Sequence, residues 1–204
     1  MKTNDYTEFE AKFYPINKEE YREKLESLGA KLIIPERTMI RMVADTRGNP
    51  VLAKTGYIRV RDEGNVVRLS LKISASEEGK LTDQKEIDVE VSDFEKTVKI
   101  MEAAGINFNR KQENRREEWE YKGAQITIDI WPGLDDYSEI ESESEEKVKE
   151  IATDLGFDWN KKIITPVAEV YAKVYKMGMD EVLDKISYIS FENNSFSGIT
   201  RYEI

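Results

Sequence analysis

The stretch "DYTEFEAKF", residues 5–13, decides the fold because charged and apolar residues alternate from Glu8 to Phe13. Successive side chains of a β-strand point to opposite faces, so this pattern predicts a strand with one apolar and one charged face. A charged face that is not the core ordinarily meets water, and one such strand alone indicates no more than that. The apolar face comprises Phe9, Ala11 and Phe13, and the charged face comprises Glu8, Glu10 and Lys12.

The composition limits the chemistry that this chain of 204 residues can perform. It has 31 basic and 41 acidic residues and a net charge of −10, so we expect no nucleic-acid and no membrane partner, since both need a basic surface. It has no Cys and no His, which excludes Ser-His-Asp catalysis and zinc sites built on imidazole or thiolate. Carboxylates, Lys, Arg and Tyr remain for any reaction. No apolar run approaches the length of a membrane span, and we expect a cytoplasmic protein.

The chain length favours one domain, which we place at residues 1–180, followed by a C-terminal extension or tail at 181–204. The final "SFSGITRYEI" has no clear period and predicts a loosely attached tail. Capping residues, helical spacing of apolar residues and terminating glycines predict four amphipathic helices. These helices begin near Asn17, Ser92, Ser144 and Thr165 and end near Gly29, Gly105, Gly156 and Gly178.

Strands are predicted wherever hydrophobic and polar residues alternate with period two. Short links such as "DEGN" (62–65) and "YKGAQ" (121–125) make the predicted sheet mainly antiparallel. The segment 44–56 predicts a loop that could cover an opening. The predicted strands are "YIRVRD" (57–62), "VVRLSLKIS" (66–74), "KEIDVEV" (85–91), "QITIDIW" (125–131) and "YSEIES" (137–142), with longer strands in "AKLIIPERTMIRMV" and "NRREEWEY".

The charges on the faces opposite the apolar ones are separated by sign. Some strands carry only cations there and others only carboxylates, whereas a solubilising surface mixes signs to satisfy cross-strand pairs. We therefore predict an α+β fold: a closed eight-stranded antiparallel β-barrel, or tunnel, with a polar, charged lumen and amphipathic helices packed outside. The inward faces would carry Arg59 and Arg61; Arg68, Ser70 and Lys72; Glu86, Asp88 and Glu90; Thr127, Asp129 and Trp131; and Tyr137, Glu139 and Glu141.

Such a lumen indicates a ligand that carries both kinds of charge. Like charges crowded in a low-dielectric interior cost several kcal/mol each unless they are neutralised. The pattern therefore calls for an anion beside the cations and a divalent cation beside the carboxylates, and a metal-bound polyphosphate supplies both. For any one Arg, the alternative is an ordinary surface ion pair.

The order of the motifs resembles a known family. "EFEAK" at 8–12 is similar to the ExExK signature of the CYTH superfamily, the triphosphate tunnel metalloenzymes. This superfamily includes class IV adenylate cyclases, thiamine triphosphatases and inorganic triphosphatases. The resemblance continues over roughly residues 5–178 and implies an eight-stranded antiparallel tunnel, in agreement with the argument from the strand faces. It passes in order through "YIRVRDEG", "LSLK", "KEIDVEV", "NRREEW", "ITIDIWP" and "SEIESES".

The resemblance also implies roles for individual residues. Hard oxygen ligands suit Mg²⁺ or Mn²⁺ as the cofactor. Either Arg115 or Arg116 would face the lumen, and the spacing to Trp119 favours Arg116. The implied metal ligands are Glu8, Glu10, Glu139, Glu141, Asp129 and Glu86; the implied triphosphate-binding cations are Lys12, Arg59, Arg61, Lys72 and Arg116; and the implied catalytic set is Glu8, Glu10, Lys12, Lys72 and Arg116.

The implied activity is metal-dependent hydrolysis of a triphosphate-bearing small molecule, inorganic triphosphate or a nucleoside triphosphate, inside the tunnel. Class IV cyclisation of ATP to cyclic AMP and pyrophosphate is the first alternative. The chain lacks the His-Phe pair that such cyclases often carry upstream of ExExK, which weakens the cyclase assignment. A noncatalytic polyphosphate or nucleotide binder is the second alternative, and the sequence leaves a homodimer open.

Overall fold

A computed structural model of the chain describes residues 6–49, 52, 56–73 and 79–204. In these ranges it contains five α-helices and nine β-strands, which confirms the α+β class. The strands are β1 (Phe9–Phe13), β2 (Lys31–Asp45), β3 (Gly56–Asp62), β4 (Val67–Ile73), β5 (Lys85–Val91), β6 (Arg110–Tyr121), β7 (Ala124–Ile130), β8 (Tyr137–Ser142) and β9 (Tyr188–Ile189). The helices are α1 (Lys18–Ser27), α2 (Phe94–Ala103), α3 (Glu145–Asp154), α4 (Val167–Tyr175) and α5 (Met179–Lys185).

The eight longer strands form one antiparallel sheet in the order β1-β8-β7-β6-β2-β3-β4-β5. The ninth strand, β9, is short and pairs in parallel with β6, and the sequence analysis did not predict it. The sheet curls so that the charged faces of its strands surround one cavity. The predicted tunnel architecture, with its charged interior, is confirmed.

Backbone closure of the tunnel is limited to one point. The edge strands β1 and β5 meet at a single antiparallel bridge between Thr7 and Lys85, beside a hydrogen bond from the Glu8 amide to the Gln84 carbonyl. The sequence analysis expected a closed barrel. Within the described ranges, however, no ladder of hydrogen bonds joins β1 to β5, so backbone hydrogen bonds do not close the barrel along this seam. Side chains hold the rest of the seam; the Gln84 amide, for example, donates to the Glu10 carbonyl at 2.8 Å.

The helices begin close to where the sequence predicts. The Asn17 side chain caps α1 and the Ser144 side chain caps α3 by accepting backbone N–H groups of the first turn, as expected of these residue types. Helix α2 is capped by Asp93 rather than the predicted Ser92, one residue later. The fourth predicted helix ends at Tyr175, and a separate short helix, α5, follows it. No helix in the part of the chain that the structure describes is long and apolar enough to span a membrane.

Two hydrophobic clusters stabilise the fold, and the first of them lies outside the tunnel wall. Helices α1 and α3 pack on the outer faces of β1, β6, β7 and β8, where Leu25, Ile126, Ile140 and Ile151 are fully buried. Each such side chain contributes roughly 1.5–3 kcal/mol of transfer free energy. The second cluster joins α4 and α5 to the chain that follows β7. The outer faces of β4 and β5 are less covered, and Val89 remains 50% exposed.

The C-terminal extension is packed against the domain. Phe196 is 2% exposed and stacks on Tyr171 of α4 with ring centroids 4.5 Å apart, and the Tyr202 amide donates to the Val174 carbonyl. The expectation of a loosely attached tail is therefore wrong, because Phe196 is buried against α4, a contact between distant parts of the chain that no local sequence pattern shows. The division of the chain at residue 180 stays a prediction. The predicted 44–56 loop and the end of the 66–74 strand fall partly outside the described residues.

The packing of Phe196 predicts a large loss of stability when its side chain is shortened to that of alanine. Phe196→Ala removes a buried ring from between Tyr171 and Tyr175 and leaves a cavity, a change that costs about 3–5 kcal/mol. For a chain of this size we expect a fall in Tm of roughly 6–20 °C in calorimetry. Ile204→Ala, at an exposed position, is the matched control and should leave Tm unchanged. Equal Tm values for both variants and the parent would show that the extension is not part of the folded unit.

Candidate functional site

The tunnel encloses a cavity of about 710 Å³ lined mainly by charged side chains of seven strands. The alternation of side chains along each strand turns these residues inward, as predicted. Of the metal-binding, phosphate-binding and catalytic residues implied from the sequence, only Asp129 is missing from the lining; of the other residues predicted to face inward, Ser70, Glu90 and Thr127 are also missing from it. The implied site residues that do line the cavity are Glu8, Glu10, Lys12, Arg59, Arg61, Lys72, Glu86, Arg116, Glu139 and Glu141.

Three carboxylates form a cluster that suits a divalent cation. Glu8, Glu10 and Glu141 each offer an oxygen within 4.8 Å of the others. The register of the sheet explains the arrangement, because Glu10 of β1 pairs directly with Glu141 of β8. Three carboxylate oxygens with room for further ligands fit Mg²⁺ or Mn²⁺, which prefer hard oxygen donors and retain water. We call these three residues the acidic cluster.

The acidic cluster is strained electrostatically. Burial, together with the charges of Glu10, Glu86 and Glu141, raises the pKa of Glu8 to about 9. Burial and the neighbouring carboxylates raise the pKa of Glu141 to about 7. Glu10 differs, because Lys12 and Lys72 lower its pKa below the usual range despite its burial. The raised pKa values favour the protonated forms of Glu8 and Glu141, and a divalent cation bound in the cluster would favour their ionised forms.

Lys72 lies among the carboxylates rather than apart from them. Its ammonium is 2.7 Å from Glu8, 3.0 Å from Glu10 and 3.0 Å from Glu86. Lys12 is likewise paired with Glu10 and lies 3.4 Å from Glu139. The sequence analysis expected cations and carboxylates to form separate clusters, and this expectation is only partly met. Without ligand, the inner charges neutralise one another in pairs, which reduces the repulsion expected of an empty lumen.

The arginines of β3 also line the tunnel. Arg59 donates to Glu86 at 2.7 Å, and Arg61 donates to Glu63 through both Nε and Nη2 at 2.9 and 2.6 Å. Glu63, at the end of β3, had not been recognised from the sequence as a partner. Both guanidiniums remain charged and retain further N–H donors, which suits them to phosphate oxygens.

Arg116, not Arg115, faces the lumen. It lines the cavity and pairs with Asp129 at 2.9 Å and with Glu139, and these carboxylates raise its pKa despite burial. The Arg115 side chain is 45% exposed, with its guanidinium over the Phe191 ring on the outside. The preference for Arg116 that the sequence analysis drew from the spacing to Trp119 is thus correct.

Asp129 lies on the inner face of β7, paired with Arg116, but it is covered by its neighbours and reaches neither the cavity nor the acidic cluster. Its side chain is fully buried, and its oxygens accept hydrogen bonds from Arg116, Asn114 and Thr127 at 2.9, 3.2 and 2.6 Å. A carboxylate with all these donors orients Arg116 and is not available to a metal ion in this arrangement. The position of Asp129 therefore does not support the metal-ligand role implied by the resemblance, whereas Glu86 and Glu139 remain beside the acidic cluster.

The sequence analysis missed the contribution of β2 to the lumen. Arg41 lines the cavity from this strand, and Arg110, Gln112 and Glu118 of β6 join it. The signal was weak because β2 carries apolar residues on both faces; Ile40, for example, points outward and is 39% exposed. If polar and apolar residues had alternated along β2, the pattern would have predicted that Arg41 faces the lumen.

Comparison with known proteins shows the family. The CYTH domain model matches residues 7–165, and the chain therefore belongs to the CYTH domain family. A search of curated proteins finds no significant match.

Solved structures share the fold at low sequence identity. A Vibrio parahaemolyticus protein provisionally assigned as an adenylate cyclase has a TM-score of 0.69 at 11% identity, over 82% of this chain and 98% of that one. The PH1819 protein of Pyrococcus horikoshii has a TM-score of 0.61 at 24% identity, over 80% and 97%. A Hippeastrum protein provisionally assigned as an adenylyl cyclase and described as having a dominant triphosphatase activity has a TM-score of 0.50 at 14% identity, over 81% and 94%.

The ion pairs predict opposite stability effects for two arginines. Arg116→Met leaves Asp129 fully buried without its cation and removes one of the two cations beside Glu139, which costs about 3–5 kcal/mol, so we expect Tm to fall by roughly 6–20 °C. Arg41→Met removes a cation whose pKa burial and neighbouring arginines lower to about 9, so Tm should stay unchanged or rise. Calorimetry of both variants without ligand or metal tests this contrast. A large fall for Arg41→Met would show that Arg41 stabilises the ligand-free fold.

Proposed function

We propose that this protein hydrolyses the terminal phosphoanhydride bond of a triphosphate-bearing small molecule, inorganic triphosphate or a nucleoside triphosphate, with Mg²⁺ or Mn²⁺. The observation that carries the proposal is that one cavity holds both the acidic cluster and the inward-facing Lys12, Arg59, Lys72 and Arg116. A triphosphate with its metal ion matches this combination, since its oxygens meet the cations while the ion meets the carboxylates. Membership of the CYTH family supports the same class of ligand.

The acidic cluster would hold the divalent cation, with Glu86 and Glu139 as the nearest further carboxylates. Bound there, Mg²⁺ or Mn²⁺ supplies Lewis-acid polarisation of phosphoryl oxygens and lowers the pKa of water. The donor set fits these hard ions. With no Cys and no His in the chain, it offers nothing that favours a softer metal.

The chain's own cations position the substrate and stabilise charge. In the proposed reaction a water oxygen bonds to the terminal phosphorus, the anhydride P–O bond breaks, its electron pair leaves with the diphosphate, and a proton passes to solvent. Phosphoryl transfer depends mainly on positioning and electrostatics, so the buried guanidiniums of Arg59, Arg61 and Arg116 fit the task. Asp129 acts through Arg116, by fixing the orientation of its guanidinium.

Existing ion pairs keep these cations in place before substrate arrives. Lys72 has three carboxylate neighbours, and Arg59 has Glu86, so neither side chain must be ordered on binding. Preorganised donors are worth more to the reaction because little reorganisation is needed as charge develops.

Cyclisation of ATP is the alternative reaction, in which the ribose 3′-oxygen attacks the α-phosphorus and pyrophosphate leaves. It uses the same lining of cations and carboxylates, which we call the charged cradle. A protein with this fold is provisionally assigned as an adenylate cyclase, which supports this alternative. The charged cradle alone accounts for a triphosphate, whereas cyclisation also requires a nucleoside held in one orientation. A noncatalytic polyphosphate or nucleotide binder is a further alternative, defined by tight binding without turnover.

Metal dependence is the first expectation from this proposal. Removal of divalent cations with EDTA should abolish phosphate release, and Glu10→Gln should lower kcat by about 10² or more through loss of a metal ligand. Phosphate release from triphosphate with and without Mg²⁺ or Mn²⁺ measures both effects. Glu95→Gln, at an exposed carboxylate of α2, is the control and should keep the parent activity. Full activity in excess EDTA would contradict the proposal.

The products separate hydrolysis from cyclisation. We expect inorganic triphosphate to be cleaved faster than ATP, and ATP to give mainly ADP and phosphate, because the charged cradle accounts for the phosphates alone. Anion-exchange chromatography of reactions with each substrate and each metal gives the answer. Cyclic AMP with stoichiometric pyrophosphate as the main products would favour the cyclase instead, and binding without any product would favour a binder.

A further inference from the structure

Arg41 is a buried lumen cation to which the proposed chemistry assigns no role. It lies in the middle of β2, in register with Arg61 of β3 and Gln112 of β6, and it lines the cavity at 8% exposure. Its guanidinium is therefore inside the tunnel and not on the outer surface, and burial of a cation requires a compensating partner.

The partners of Arg41 differ from those of the other lumen arginines. Arg59, Arg61 and Arg116 each form an ion pair with a carboxylate. Among the residues that the structure describes, Arg41 forms no such pair; its Nη2 donates to the neutral amide of Asn114, and its Nε has no hydrogen-bond partner. Arg41 is the register partner of Arg61, and the guanidiniums of Arg59, Arg61 and Arg116 act together with burial to lower its pKa. A cation without a paired carboxylate, beside three that are paired, favours an anion at this place in the tunnel.

An aromatic platform holds Arg41 in this position. Its guanidinium carbon lies 4.7 Å from the centre of the Trp131 ring, a cation–π contact. Trp131 is itself buried and is held edge-on by Tyr171 of α4, with ring centroids 6.5 Å apart. The Trp131 ring fixes the guanidinium of Arg41 but does not neutralise its charge. The positive charge of Arg41 is therefore available to a bound anion.

Arg41 and the acidic cluster lie on different sides of the lumen, because β2, which carries Arg41, is four strands away from β1, which carries Glu10, in the strand order. The acidic cluster is bound to Lys12 and Lys72, whereas Arg41 neighbours the arginines of β3 and β6. We propose that Arg41, positioned by Trp131, binds the phosphoryl group of the substrate that lies farthest from the acidic cluster, and so makes the tunnel select three linked phosphates over two. This inference rests on the proposed function, because it assumes that the opposite end of the phosphate chain is held with the metal.

Binding of uncleavable analogues tests this inference without any need for turnover. Isothermal titration calorimetry in Mg²⁺ compares diimidotriphosphate with imidodiphosphate, whose nitrogen bridges resist hydrolysis. Arg41→Gln should weaken binding of the triphosphate analogue by about ten- to a hundredfold, the loss of charge-assisted hydrogen bonds, and should change binding of the diphosphate analogue by less than about threefold. Trp131→Leu should shift the ratio of the two affinities in the same direction by a smaller factor.

Matched variants make the result decisive. Arg115→Gln removes a guanidinium from the outer face of β6 and should change neither affinity, and Arg41→Lys should retain part of the selectivity because it keeps the charge. Thermal unfolding of every variant shows whether it is folded. Equal losses for both analogues, or no loss for either, would overturn the role of Arg41, as would failure of the parent to bind the triphosphate analogue more tightly. Failure of catalysis alone would not affect this measurement and would count only against the proposed reaction.

Discussion

The ion pairs of Lys72 are the contacts on which the rest of this structure depends. The sheet has a seam at which the backbones of β1 and β5 meet at only one bridge, and Lys72 of β4 reaches across it to Glu8 and Glu10 of β1 and to Glu86 of β5 at 2.7–3.0 Å. A buried cation surrounded by three carboxylates costs far more to disturb than a surface ion pair, because each charge left behind would be buried and unpaired. The same contact therefore closes the tunnel and assembles the cluster proposed to hold the metal ion.

This dual use places a constraint on the chemistry. Phosphate oxygens that bind Lys72 or Arg59 compete with the carboxylates that already pair with these cations. A divalent ion in the acidic cluster supplies the positive charge that replaces the cations that the carboxylates lose. Metal and anion thus belong together: either one alone would leave like charges unbalanced in a low-dielectric lumen. Arg41 differs because it enters this exchange without a carboxylate to release, so an anion bound there gains the full attraction of the cation.

The sequence was sufficient where strands alternate cleanly. Period-two patterns placed the inward residues of β1, β3, β4, β5 and β8 and chose Arg116 over Arg115, since a strand face follows from parity alone. The resemblance placed Asp129 among the metal ligands, and parity alone does not show that neighbouring side chains cover a residue on the inner face of β7. In β2, shifts of register on either side of Ile34 and apolar residues on both faces hid Arg41. The seam and the burial of Phe196 depend on contacts between distant segments, and no local pattern contains them.

The central claim is that metal and phosphate chain bind together inside the tunnel, between carboxylates and cations that the fold has already brought into contact. The most direct measurement is anomalous diffraction from crystals of the protein grown with Mn²⁺ and diimidotriphosphate. We predict a manganese peak coordinated by Glu8, Glu10 and Glu141, with phosphoryl oxygens contacting Lys72 and Arg59. Manganese or phosphate density located only outside the tunnel, or a tunnel that stays empty at saturating ligand, would contradict the account.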